Sequence, residues 1–261
     1  MFRTPARFRG GQRLVLTEPE GREKRVWGVS MFYVSRISVS RFLIACGLFA
    51  SLLAAGTASA QDRRQSTPGE FDFYVLSLSW SPSFCEAAQE RGNEGRSRAQ
   101  CGGRPFSFVV HGLWPQYEHG YPDYCQQPSP ELERSIMVSM LDLMPAPGLI
   151  YNEWRKHGTC SGLSPRGYFE TVRKARAAVK IPEQYLRLSE PMTVAPADIE
   201  DAFIKVNPGL SNAAVAVICE RNRLSEVRIC MNKEMQFRAC EEIDRRACRR
   251  DQVTMPPMRG G

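Results

Sequence analysis

The chain has few histidines. There are three in 261 residues, His111, His119 and His157, and none starts an H-E-x-x-H or H-x-E pattern. No two cysteines are spaced C-x-x-C. Together these absences leave a zinc site built from His111, His119 and His157 without the ligand spacing such sites use. No internal repeat is present, which excludes a solenoid, and no strand–helix–strand rhythm, which excludes a parallel α/β fold. Strands and helices mixed without that rhythm predict an α+β domain. Nor is there an apolar run long enough to span a bilayer. The longest candidate, residues 42–56, is short, follows Arg36 and Arg41, and ends in Ala58-Ser59-Ala60. Those are the marks of a secretory signal peptide over 31–60 with cleavage near Gln61. A lipoprotein reading at Cys46 lacks an apolar stretch before the cysteine. Residues 1–30 read as an over-called start, with Met31 the natural initiator.

Net charge nearly vanishes once the leader is removed. The whole chain carries 35 Lys and Arg against 28 Asp and Glu, a net +7. Residues 1–60 hold 9 of the basic and 3 of the acidic side chains, leaving 26 against 25. A global field that draws in nucleic acid is therefore excluded, and any such affinity must come from local placement of charge. What remains is one domain's worth of chain with eight cysteines: Cys85, Cys101, Cys125, Cys160, Cys219, Cys230, Cys240 and Cys248. An even number behind a secretion signal predicts four disulfides.

Along that part, 61–70 reads as a polar lead and Phe71–Trp80 as a strand. Residues 81–104 read as a loop stapled by cysteines, and Phe106–Val110 as a strand running into His111. A helix is predicted from Ser129-Pro130, another over 149–158 ending at Gly158, a third after Ser164-Pro165, and a short one over Ala195–Val206. Ala213–Cys219, Glu226–Cys230 and Met235–Cys240 read as strands of a hairpin region. Residues 251–261 read as a flexible tail.

Two segments carry the chemistry. In the first, Tyr151 to Cys160, helical spacing puts Glu153, Lys156 and His157 on one face, an acid, an amine and an imidazole together. Alone, this could be an ordinary surface ion pair. The His-Gly-Thr-Cys that follows ends the helix and offers a covalent anchor. In the second, His111-Gly112-Leu113-Trp114-Pro115, a histidine ends a strand beside a glycine that lets the backbone bend. Two imidazoles and a lysine are the groups that open a phosphodiester without a metal. Trp114, Tyr117, Tyr121 and Tyr124 crowd the loop beyond, a place where unpaired bases stack. His119 in that loop reads as rim or surface.

Phe108–Pro115 and Glu153–Cys160, in this order and about 40 residues apart, resemble the two active-site segments of the ribonuclease T2 family. The resemblance extends to Tyr74–Pro82 and the C-terminal cysteines, and so over 71–250. It implies a central antiparallel sheet flanked by helices, with no metal or cofactor, and a monomeric, secreted or periplasmic endoribonuclease. Such an enzyme acts on single-stranded RNA with little base preference, through a 2′,3′-cyclic phosphate to a 3′-phosphate end. By resemblance His157 is the general base, His111 the general acid, and Glu153 and Lys156 stabilise the phosphorane. Trp114, Gln116 and Asn152 face the substrate. Asn152 stands where many members have a third histidine, and Gln116 where several have an acid. The disulfides implied are Cys85–Cys101, Cys125–Cys160, Cys219–Cys248 and Cys230–Cys240; the last two also nest around a turn near Asn232-Lys233. Two other readings stay open at this point: a catalytically silent secreted binder, and a metal-dependent hydrolase using the three histidines.

Overall fold

The computed structural model describes residues 66–258. The readings of residues 1–60 as over-called start and signal peptide, and the first part of the lead, lie outside the described residues.

Among the described residues six strands form one sheet: β1 Phe73–Trp80, β2 Phe108–Gln116, β3 Met192–Val194, β4 Val215–Glu220, β5 Arg223–Met231 and β6 Val253–Met255. Their order is β2-β1-β5-β6-β3, with β4 also paired to β5. All pairings are antiparallel except the single β5–β6 contact, Arg223 opposite Thr254. The helices are α1 Ser81–Glu90, α2 Glu94–Cys101, α3 Arg134–Ser139, α4 Pro147–Lys156, α5 Pro165–Ala178, α6 Pro196–Val206 and α7 Glu241–Asp244. The α+β reading holds.

Alternation along β1 sorts its side chains onto two faces. Tyr74, Leu76, Leu78 and Trp80 join the main core with Tyr168, Val172, Ile199 and Phe203 from α5 and α6. Phe73 and Val75 point the other way, into a small cluster with Cys230, Cys240 and Ile243. Further along that second face come Ser77 and Ser79, opposite Arg228 and Glu226 of β5. Trp114 and Gly112 of β2 lie opposite Val75 and Ser77. The register alone thus gathers polar groups on the sheet face turned away from the main core.

Four disulfides close the domain: Cys85–Cys101, Cys125–Cys160, Cys219–Cys248 and Cys230–Cys240. These are the implied pairs.

Four expectations are corrected. Met235–Cys240 is not a strand: Phe237 alone makes an isolated bridge to Met231. The stapled loop over 81–104 is two helices, α1 and α2. Pro82 opens the first, where its missing N–H costs nothing, and Cys85–Cys101 ties them together. The helix predicted from Ser129-Pro130 begins only at Arg134, because the Pro130 carbonyl accepts Trp154 Nε1–H at 2.7 Å instead of entering a helical ladder. The tail predicted as flexible is ordered through residue 258. Val253–Met255 forms β6, Met255 is fully buried, and Trp80 Nε1 donates to the Pro256 carbonyl at 3.1 Å. Burial of Val253 and Met255 on the sheet outweighs the Pro/Gly character of the flanks.

Candidate active site

His111 owes its position to an irregularity in the sheet. Ser77 pairs with Gly112 and the next residue, Leu78, with Val110, so His111 is the extra residue of a β-bulge. A bulge bends its strand and re-aims a side chain. The bend read from Gly112 is realised one residue earlier. Gly112 serves a different need: a β-carbon there would collide with the Glu153 carboxylate and the Trp114 indole N–H. Only glycine leaves room for the bond between them, Trp114 Nε1 donating to Glu153 Oε2 at 2.8 Å.

The opposite wall is α4. Pro147 starts it, and its last turn presents Glu153, Lys156 and, as C-cap, His157, whose N–H donates to the Glu153 carbonyl at 2.9 Å. A short 3₁₀ turn, Gly158–Ser161, follows. Gly158 is packed so closely on Trp154 and Tyr168 that no side chain would fit. Cys160 in that turn is bonded to Cys125, and Tyr124 N–H donates to the Lys156 carbonyl at 2.8 Å. The aromatic loop is thereby tied to the end of α4 twice.

Between the walls lies a cleft of about 260 Å³ lined by His111, Trp114, Gln116, Asn152, Glu153, Lys156 and His157, with Tyr121, Arg228, Ile243 and Arg246 at its margins. All seven cleft residues expected from sequence meet there. Trp114 sits at the centre. Its ring is 5.3 Å from both imidazoles, edge-on to His111 and tilted over His157, and the Arg228 guanidinium lies 4.9 Å from it. It is wedged between the catalytic candidates and anchors Glu153, more than a free stacking surface would require. Gln116 is buried, with its amide donating to the Pro115 carbonyl at 3.0 Å. His119 is exposed and does not line the cleft, so the three histidines do not converge.

The two histidines differ in charge environment. Burial draws His157 down, and the charges of Lys156 and His111 draw it further, to about 3. Its Nδ1 is buried without a partner. Burial also pulls on His111, but the Glu226 hydrogen bond and the Glu226 and Glu153 charges outweigh it, and its net shift is upward from 6.5. Desolvation is the largest single influence on His111, and the two carboxylates acting together exceed it. Glu153, 3% exposed, is raised by burial, against the pull of His111, Trp114 and Lys156. At neutral pH this leaves one imidazole neutral and one biased towards its cation, a base and an acid on two sides of one cleft.

The model of the ribonuclease T2 family matches residues 71–240. The chain belongs to that family. It is 32% identical over 186 residues to a probable ribonuclease of Haemophilus influenzae, a match covering 68% of this chain and 64% of that one. To a ribonuclease of Aeromonas hydrophila it is 39% identical over 129 residues, covering 49% and 55%. To ribonuclease I of Escherichia coli it is 26% identical over 227 residues, covering 72% and 85%. The matches thus span less than two thirds of the length of the first two relatives. Among solved structures, an RNase-related protein from Calystegia sepium superposes with a TM-score of 0.58 at 22% identity, over 73% of this chain and 99% of that one. RNase NT, solved in complex with 5′-AMP, superposes with 0.52 at 24%, over 72% and 99%. These share the fold.

One residue in contact with His111 escaped sequence reading. Glu226 of β5 is buried in the sheet, and its Oε1 lies 2.5 Å from His111 Nδ1. The available signal was a lone acid inside the strand pattern Leu224-Ser225-Glu226-Val227-Arg228, on the same face as Arg228.

Proposed function

We propose that this chain is an endoribonuclease that cleaves single-stranded RNA by attack of the ribose 2′-OH. His157, neutral above about pH 3, takes the 2′-OH proton as the oxygen adds to phosphorus. His111, held towards its cation, protonates the departing 5′-oxygen from Nε2. A 2′,3′-cyclic phosphate forms. In the second step the roles reverse: His111 takes a proton from water, His157 returns one to the 2′-oxygen, and a 3′-phosphate remains. Lys156 offsets charge on the phosphoryl oxygens, and Glu153, fixed by Trp114, completes the polar wall. No step calls for a metal. The convergence of His111, Glu153, Lys156 and His157 on one cleft is the observation that carries this reading.

Little base preference is part of the proposal. His111 and Glu226 also line a second cavity of about 200 Å³, walled by Phe84, Leu149, Leu224 and Val109. A scissile phosphate at His111 therefore has a cavity on each side, and the second offers mainly apolar contact area, with Ser79, Arg91, Gln100 and Arg223 also in its walls. Gln116 spends its amide on the backbone. Secretion, to the periplasm or the medium, rests on the leader sequence, and action as a monomer is the accompanying expectation.

The test is RNA against DNA of the same sequence in excess EDTA. RNA should be cut with transient cyclic phosphates and DNA left whole. Direct formation of 5′-phosphate ends, or loss of activity to the chelator, would overturn the reading, and inactivity on every RNA would favour a silent binder.

A further inference from the structure

Glu226 sits where a carboxylate is expensive. It is in the middle of β5, between Ser79 of β1 and Ile218 of β4, with a side chain 7% exposed. A buried charge is tolerated only when paired and hydrogen-bonded, and for stability alone an apolar residue does as well there. Its two oxygens are divided. Oε1 faces His111 Nδ1 at 2.5 Å; Oε2 accepts from Arg228 Nε at 2.8 Å and pairs with its Nη2 at 2.7 Å. The arginine grips one oxygen in a fork, which fixes the plane of the carboxylate. The free oxygen then meets only one nitrogen of the His111 ring, and the other, Nε2, faces the cleft 3.9 Å from Glu153 Oε1.

We propose that Glu226 is a positioning residue for His111, holding the proton on Nδ1 so that Nε2 alone is presented to the leaving oxygen. Arg228 sets the carboxylate for this task. A carboxylate on one imidazole nitrogen fixes both tautomer and ring orientation and stabilises the imidazolium. The geometry serves both steps: after His111 gives up the Nε2 proton, the remaining proton stays on Nδ1 and the Nε2 lone pair points at the incoming water. The proposal rests on the reading of His111 as the acid.

Arg228 on β5, Glu153 and Lys156 on α4, His157 at its C-cap and Arg246 share the cleft with His111. In the neighbouring cavity Arg91 and Glu220 are paired at 3.6 Å, and Arg223 is paired with Glu90 at 2.7 Å. Glu226 is the carboxylate that touches the ring, so its charge governs His111 more than these do.

The experiment compares Glu226→Ala, Glu226→Gln and His111→Ala on two substrates. One is a uridylyl dinucleotide, whose alkoxide leaving group needs an acid. The other is uridine 3′-(4-nitrophenyl phosphate), whose leaving group does not. Glu226→Ala should lose about 10–100-fold in kcat on the dinucleotide and stay within about three-fold of wild type on the nitrophenyl ester, because only the acid's task is impaired. Glu226→Gln can still accept from Nδ1–H but carries no charge. It should keep more activity, with the alkaline limb of its kcat/KM profile moved to lower pH and the acid limb unmoved. Equal losses on both substrates, or an unmoved alkaline limb, would reduce Glu226 to a structural residue. His111→Ala separates the layers: an equal loss on both substrates in that variant overturns the acid assignment itself. His111→Ala selective for the dinucleotide, with Glu226→Ala at wild-type rates on both, overturns the Glu226 proposal alone.

Discussion

The sheet wall and the helix wall of the cleft each contribute one imidazole, by opposite means. His111 stands on a bulge of β2 with two carboxylates within 4 Å and an open side to solvent. His157 caps a helix, is 6% exposed, and has Lys156 beside it and no partner for Nδ1. The first environment favours the cation and the second forbids it. Chemically identical side chains are thus biased towards opposite charge states by where backbone irregularities put them: an extra strand residue beside buried acids, and a helix end beside an amine.

The strongest way to break this comparison is to delete either member. His111→Ala and His157→Ala should each lower kcat on RNA by about 10²–10⁴-fold while circular dichroism and disulfide mapping stay native. Near wild-type turnover in either would end the assignment. Next comes the bridge that holds the helix wall to the aromatic loop. Replacing Cys125 and Cys160 by serine should lower stability by about 2–4 kcal/mol and cut activity more than the same change at Cys85 and Cys101. Thermal melts and turnover measured together decide it.

Trp114→Phe keeps the ring and removes the donor to Glu153. A buried carboxylate left short of a hydrogen bond costs about 1.5–3 kcal/mol, so a kcat loss of about ten-fold or more is expected, and unchanged kcat would make the Trp114–Glu153 bond incidental. The pH profile of the wild type sharpens the comparison without mutation. The base must be unprotonated, so kcat/KM should rise through His157's value of about 3. The acid must be protonated, so kcat/KM should fall as pH rises past His111's value, above 6.5. Because Glu153 is raised as well, the limb at low pH should simplify in Glu153→Gln. A narrow bell centred above 7 would contradict the two shifts. The smallest effect is Asn152→His, which supplies the third histidine of many relatives. At acid pH it should lower KM by about two- to five-fold, with kcat little changed.

The parts of the molecule that were legible in sequence are those where one residue type has one physical use. A strand with alternating Tyr74, Leu76 and Leu78, a helix ending in His-Gly, and eight cysteines beyond residue 60 each have few readings. So do His111, Glu153, Lys156 and His157, whose chemistry is specific. Residues 81–104 were missed because α2 has no apolar stripe and is held from outside by a disulfide. The strand at 253–255 was missed because three residues are too few to show a period. Glu226 was hidden because its partners, His111 and Arg228, lie 115 and two residues away, and only strand register brings them to one face.

The place of β6 bears on how the domain is made. It fills the gap between β5 and β3, and its flank is tied to Trp80 across 176 residues of chain. During synthesis every residue of the catalytic cleft emerges before the triplet that closes the sheet. Until residue 255 is free of the ribosome, β3 lacks the neighbour it pairs with and the start of β5 lacks its flanking strand. Closing so long a loop is slow and leaves open strand edges in the meantime. A late step of folding is therefore the docking of this three-residue strand, and a chain halted near residue 250 should refold slowly and aggregate, a difference that stopped-flow fluorescence of Trp80 would register.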